Sequence, residues 1–142
     1  MNAQSSRVTS PFFWQTRVYW EDTDGGGVVY YANYLRFMER ARTEWLRARG
    51  WSQQALASDP GILFTVANVE IEYRKPARLD DVLFVSCDPR PEGRVTLSFG
   101  QTVHRGGCDG ELLAAAKIRV ACVGAGTFRP KRLPDFVLEG LR

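Results

Sequence analysis

Glu21-Asp22-Thr23-Asp24-Gly25-Gly26-Gly27-Val28-Val29-Tyr30-Tyr31-Ala32-Asn33-Tyr34 is the stretch on which the chain changes character. Before it, residues 16–20 alternate β-favouring side chains and predict a first strand. After it, Tyr34, Phe37, Met38, Ala41, Trp45 and Leu46 recur at three- and four-residue spacing, which predicts one amphipathic helix over 33–49. Asn33 is the expected N-cap and Gly50 the expected C′ stop, with Arg36, Glu39, Arg40, Arg42, Glu44, Arg47 and Arg49 on the rest of the surface. Between strand and helix stand two carboxylates one residue apart and three glycines. Glycine permits positive φ and close approach of a ligand to the backbone. A helix start supplies unpaired N–H groups and a partial positive charge. A carboxylate held there can attack a carbonyl while the amides polarise it, which makes Asp24 the candidate catalytic residue. The competing account is turn chemistry, in which an Asp beside glycine only accepts backbone hydrogen bonds. Asp22 and Thr23 are expected to fix the turn.

Outward from this stretch the pattern is mostly strand. Residues 51–58 predict a short second helix, ended by Asp59-Pro60-Gly61. Strands are expected over 62–74, 81–88, 94–104 and 111–123, with turns at 89–93 and 105–110. Residues 1–11 read as a loose tail, Phe12, Phe13 and Trp14 as packing on a neighbouring element, and 124–142 as a closing segment with a last helical turn. One strand, one long helix and four hairpin-linked strands cannot build parallel βαβ units. The expected class is α+β: a single domain over 1–142, in which a five-stranded antiparallel sheet curls around the helix. Val69, Ile71 and Tyr73 share one strand face, but residues 62–67 are apolar on both faces. One helix cannot cover both, so a partner subunit is expected.

Composition narrows the class. A hydrophobic fraction of 44% and a charged fraction of 25% are those of an ordinary globular domain. A net charge of +3, with basic residues interleaved among acidic ones, forms no stripe for nucleic acid, although it suits an anionic ligand. Cys87, Cys108 and Cys122 make no C-x-x-C pair, and with one histidine they speak against a structural zinc site. No metal is expected, and the thiols are expected to be reduced. No apolar run has the length of a signal peptide or a bilayer span, so the expected location is cytoplasmic.

The motif Glu21 to Tyr34, followed by Glu39-Arg40-Ala41-Arg42-Thr43-Glu44 and by Pro76-Ala77-Arg78-Leu79-Asp80-Asp81, resembles the hotdog-fold acyl-CoA thioesterases. Its nearest likeness is to the YbgC type, and the related 4-hydroxybenzoyl-CoA thioesterases share the Asp-x-Asp-x-x-Gly core. The resemblance runs from about Thr16 to about Pro134 and implies an acyl-CoA thioesterase. Asp24 would be its nucleophile or general base, and the backbone N–H of Tyr31 its oxyanion donor. Gly26 and Gly27 would admit the acyl carbonyl. Arg94 and Arg90, flanking a hairpin, would contact the coenzyme A phosphates, with solvated turn charge as the competing account. Coenzyme A is part of the substrate and no separate cofactor is implied. The family pairs sheets edge to edge into homodimers and often stacks these into homotetramers, so a dimer or a dimer of dimers is expected. The YbgC type commonly has a histidine where Tyr31 stands, whereas the 4-hydroxybenzoyl branch has tyrosine, so the acyl group is left open among short-chain, aromatic and long-chain.

Other charged residues have blander expectations. Arg78 is expected to fix a bend through an ion pair, and Glu39 and Glu44 to form salt-bridged helix faces. His104 is expected to face solvent. The second functional reading is a non-catalytic binder of acyl-CoA or acyl carrier protein, or a cell-envelope-associated scaffold. Thiol release from an acyl-CoA panel separates the two readings.

Overall fold

Five strands form one sheet: β1 (Phe12–Arg17), β2 (Ile62–Tyr73), β3 (Val82–Glu92), β4 (Thr96–Arg105) and β5 (Glu111–Gly124). Their spatial order is β1-β3-β4-β5-β2, and every neighbouring pair is antiparallel. The helices are α1 (Asn33–Ala48), α2 (Gln53–Ser58) and α3 (Asp135–Glu139). This computed structural model describes residues 11–139 and 141, so the tail expected over 1–11 lies outside the described residues except for Pro11.

The buried stripe of α1 packs on one face of the sheet. Phe37, Met38, Ala41 and Trp45 meet a layer that includes Leu83, Val85, Leu97, Phe99 and Val103, all buried. Trp45 stands edge-on to Phe99, with ring centroids 5.6 Å apart. Burial of each such large side chain contributes about 1.5–3 kcal/mol. Gly50 ends the helix with φ +90, the left-handed conformation expected of a C′ glycine. Ser52 caps α2 by accepting from the Ala55 N–H at 3.1 Å.

Several local expectations are corrected. The first strand is Phe12–Arg17, because Phe12, Phe13 and Trp14 pair with Cys87, Ser86 and Val85; Trp20–Asp22 is a 3₁₀ turn. Asn33 is not the cap: Ala32 occupies that position, and the Asn33 amide donates instead to the Asp22 carbonyl at 2.8 Å. β3 does not stop before Pro89 but continues to Glu92. The described part of β1 reaches only to Cys87, so Pro89 and Pro91 lack a ladder partner on that side, and their missing N–H groups cost nothing there. Among the described residues Arg78 has no ion pair. Its N–H donates to Asp81, whose carboxylate pairs with Arg105. His104 is half-buried, its Nε2 2.9 Å from Thr102 Oγ1 and its Nδ1 3.0 Å from the Gly110 carbonyl. Glu44 pairs with Arg47, but Glu39 accepts from the Thr43 hydroxyl rather than from an arginine. Arg42, expected on the polar surface, lies in the buried stripe.

β2 is an edge strand that α1 covers only in part, Tyr34 of the helix meeting Tyr73 with ring centroids 5.2 Å apart. Its inward-facing Val66, Val69 and Tyr73 are 52%, 37% and 42% exposed. Apolar side chains on an open edge are a template for pairing with another chain. No helix among the described residues is long and apolar enough to cross a membrane.

Candidate active site

The loop carrying Asp24 is clamped on three sides. Asp22 accepts from the Tyr19 N–H at 2.9 Å, and the Thr23 hydroxyl donates to the Trp20 carbonyl at 2.7 Å, so both residues fix the turn as expected. From the segment joining β2 to β3, Leu79 N–H donates to the Gly27 carbonyl at 3.0 Å, while Val29 N–H donates to the Ala77 carbonyl at 2.8 Å. The Ala77 N–H in turn donates to the buried Tyr34 hydroxyl at 2.9 Å, which ties that segment to the first turn of α1.

Within this frame the Asp24 carboxylate is exposed and accepts from the Gly26 N–H at 2.7 Å. Gly25 and Gly27 have φ +88 and +91; Gly26 does not, but a Cβ there would lie 3.1 Å from Asp24 Oδ1. The two glycines expected to matter are thus needed for different reasons, Gly27 for its left-handed backbone and Gly26 for the space its carboxylate neighbour occupies.

Tyr31 lies two residues before α1, in the turn that leads into it. Tyr30 N–H donates to Asp22 at 3.1 Å, Asn33 N–H to Tyr30 at 2.8 Å and Tyr34 N–H to Tyr31 at 3.3 Å. Among the described residues no backbone carbonyl accepts from the N–H of Tyr31 or of Ala32. These are the orphan donors of a helix N-terminus. The Tyr31 carbonyl is held by the Tyr73 hydroxyl at 2.9 Å, and its ring lies against those of Tyr30 and Tyr73, with centroids 4.8 and 6.2 Å away. An exposed carboxylate and unclaimed helix-entry amides therefore share one short loop.

Arg90 and Arg94 are not brought to this loop within one chain. Asp24 sits beside the segment that precedes Val82, whereas Arg90 and Arg94 lie at the other end of β3, roughly 30 Å away at strand spacing. Both are exposed, and Arg90 pairs with Asp88 at 3.3 Å. A groove of about 1240 Å³ runs past Phe13, Ser86, Gly100 and His104 and includes neither Asp24 nor Tyr31. A smaller cavity of about 210 Å³ lies between α1 and β2, and Arg42 lines it. Sequence reasoning did not find Tyr73, whose link to Tyr31 crosses from the edge strand. It did not find Arg42 either, although its spacing from Met38 and Trp45 puts it in the apolar stripe. Cys87 and Cys122 are buried free thiols and Cys108 an exposed one.

Known proteins resemble this chain in sequence and fold. The model of the thioesterase-like superfamily matches residues 18–141. An acyl-CoA thioester hydrolase YbgC of Escherichia coli O6:H1 is 42% identical over 130 residues, covering 92% of this chain and 95% of that protein. An acyl-CoA thioesterase YbgC of Haemophilus influenzae is 42% identical over 126 residues, covering 89% and 90%. The crystal structure of a probable thioesterase from Bartonella henselae superposes with a TM-score of 0.81 at 34% identity, covering 88% of this chain and all of that one.

Proposed function

The chain belongs to the thioesterase-like superfamily and is a hotdog-fold acyl-CoA thioester hydrolase of the YbgC type, and from that premise we propose that Asp24 is its nucleophile or general base and the Tyr31 N–H its oxyanion donor. The observation that carries this reading is the unclaimed Tyr31 amide at the entrance of α1, in the same loop as the Asp24 carboxylate. The thioester carbonyl accepts from that amide, and possession of a fixed donor lowers the barrier as negative charge develops on the oxygen. Removal of one such donor slows catalysis about 10²–10³-fold in known cases.

Two routes fit the geometry. In one, an Asp24 oxygen attacks the carbonyl carbon, the C–S bond breaks, coenzyme A leaves as the thiolate, and water hydrolyses the resulting anhydride. In the other, Asp24 takes a proton from water, the water oxygen attacks, and the thiolate leaves from the tetrahedral intermediate. Both yield the free acid and coenzyme A, and the acyl group stays open among short-chain, aromatic and long-chain. Acyl carrier protein offers the same thioester chemistry.

The working unit is a homodimer paired through β2, with further pairing into a tetramer. The exposed apolar edge of β2 supports the dimer, since a twofold contact joins the same surface on both copies. Antiparallel β2–β2 pairing would set the Ile62 end of one copy beside the Tyr73 end of the other. The hairpin bearing Arg90 and Arg94 lies at the Ile62 end, because Thr96 pairs with Ala121 and Ile62 with Gly124. The phosphates would then be met by the partner's arginines.

Free-thiol release from a panel of acyl-CoAs tests the reading. Asp24→Asn keeps an acceptor for the Gly26 N–H, so the fold should persist while kcat falls at least 10²-fold. Undiminished turnover in that variant overturns the assignment; binding without turnover in the wild type would favour the non-catalytic scaffold.

A further inference from the structure

Arg42 is 9% exposed, and among the described residues no carboxylate lies within ion-pair distance of it. Its Nη1 donates to the Gln101 Oε1 at 2.9 Å, and its guanidinium carbon lies 6.0 Å from the centre of the Phe99 ring. Gln101, 1% exposed, is itself fixed from behind, its Nε2 donating to the Met38 carbonyl at 3.0 Å and the Ser86 carbonyl at 3.1 Å. The amide oxygen is thereby committed to Arg42, and the arginine cannot swing away without orphaning it. A guanidinium has five N–H donors and no means of losing its charge. Among the described residues no sealed side-chain nitrogen lacks a partner, and Arg42 lines an open volume. That volume is the cavity of about 210 Å³, walled chiefly by apolar side chains such as Trp45, Leu46, Phe64 and Leu97, with Gln53 also on its border. Glu39 also borders it, but as an exposed residue whose Oε2 is engaged by the Thr43 hydroxyl.

A desolvated cation facing an apolar cavity, held by one neutral acceptor, is poorly explained as packing, since an apolar side chain would fill the same place without the cost of burying charge. It is well explained by a ligand that brings the missing acceptor. We propose that this cavity receives the far end of the acyl group and that Arg42 selects acyl groups ending in a hydrogen-bond-accepting oxygen, a carboxylate above all. The inference rests on the Asp24 reading and on twofold β2 pairing, which sets the Phe64 end of one copy, with its Arg42 cavity, beside the partner's Asp24 loop. The reacting thioester and the Arg42 subsite then belong to one shared site, with apolar walls between the two polar ends.

Matched thioesters test it: hexanoyl-CoA against adipoyl-CoA, and octanoyl-CoA against suberoyl-CoA, each pair differing by a terminal carboxyl. The wild type should favour the carboxylated member at least tenfold in kcat/KM. Arg42→Met should cut that preference at least tenfold, with Arg42→Lys between, because a point charge keeps attraction but loses the fork. Turnover of the apolar members without preference in the wild type overturns the assignment of the cavity and leaves the Asp24 reading standing. So does an equal loss on both members of each pair in Arg42→Met. Absence of turnover with every thioester takes down both. The wild-type ratio decides by itself if the methionine variant does not fold.

Discussion

The Tyr73 hydroxyl, at the last residue of the edge strand β2, donates to the Tyr31 carbonyl at the entrance of α1 across 2.9 Å. One hydrogen bond thus joins the strand expected to carry the dimer contact to the residue whose amide is the proposed oxyanion donor. Tyr73→Phe should leave the global fold in place, because an exposed hydrogen bond contributes only about 1 kcal/mol. It should lower kcat several-fold while moving KM less, as expected for a residue that positions the donor. Steady-state kinetics with one good acyl-CoA would check this, and an unchanged kcat would detach Tyr73 from the site.

Gly26→Ala addresses the carboxylate directly. The added Cβ would lie 3.1 Å from Asp24 Oδ1, so either the carboxylate or the loop must shift by a few tenths of an ångström. The site is exposed and the glycine φ is not left-handed, so thermal stability should change little. Activity should drop by roughly tenfold or more, because small misplacements of a reacting group are costly. A variant that kept full activity would show that the observed Asp24 orientation is not the productive one.

Val69→Lys probes the edge. Val69 lies on the inward face of β2 and is 37% exposed in the single chain, so the substitution places a charge on an apolar contact without disturbing the core. Inward-pointing charge is an effective block to edge pairing. Sedimentation should show the wild-type oligomer dissociating to monomers in the variant, with hydrolysis falling at least tenfold if the site is shared between copies. An intact oligomer would place the interface elsewhere.

Cys87 makes a pH prediction. Burial pushes its thiol up to about 12 from an ordinary value of 9.0, against a smaller opposing pull from the nearby Arg42 charge. The folded state therefore keeps this proton after the unfolded state has lost it. The stabilising contribution is complete below pH 9 and declines as pH rises from 9 towards 12, with a slope of about 1.4 kcal/mol per pH unit for one proton. Cys87→Ala should flatten that decline in denaturant titrations at pH 8 to 11. In the native wild type at pH 8, a thiol reagent should modify Cys108 rapidly and the buried Cys87 and Cys122 only on unfolding.

The long helix, four of the five strands and the carboxylate–glycine loop were legible in the chain, because periodicity and turn chemistry are local properties. The 3.6-residue recurrence from Tyr34 to Leu46 dictates a helix with one buried side wherever it is placed. Asp24 and its glycines mark a turn by spacing, while the catalytic role given to Asp24 is what the family resemblance implies. Contacts between distant segments were not legible. Pro89 and Pro91 read as a turn until pairing showed that their missing donors face an unpaired edge. Arg78 was expected to hold a bend that Arg105 and Asp81 hold instead. Arg42 has the composition of a surface residue and the position of a core one, and only its meeting with Gln101, far along the chain, decided between them. Tertiary structure alone also separated Arg90 and Arg94 from Asp24 by the length of a strand. Local physics determines which elements form and which groups are available for chemistry; which groups meet depends on register and edge pairing, which no single segment encodes.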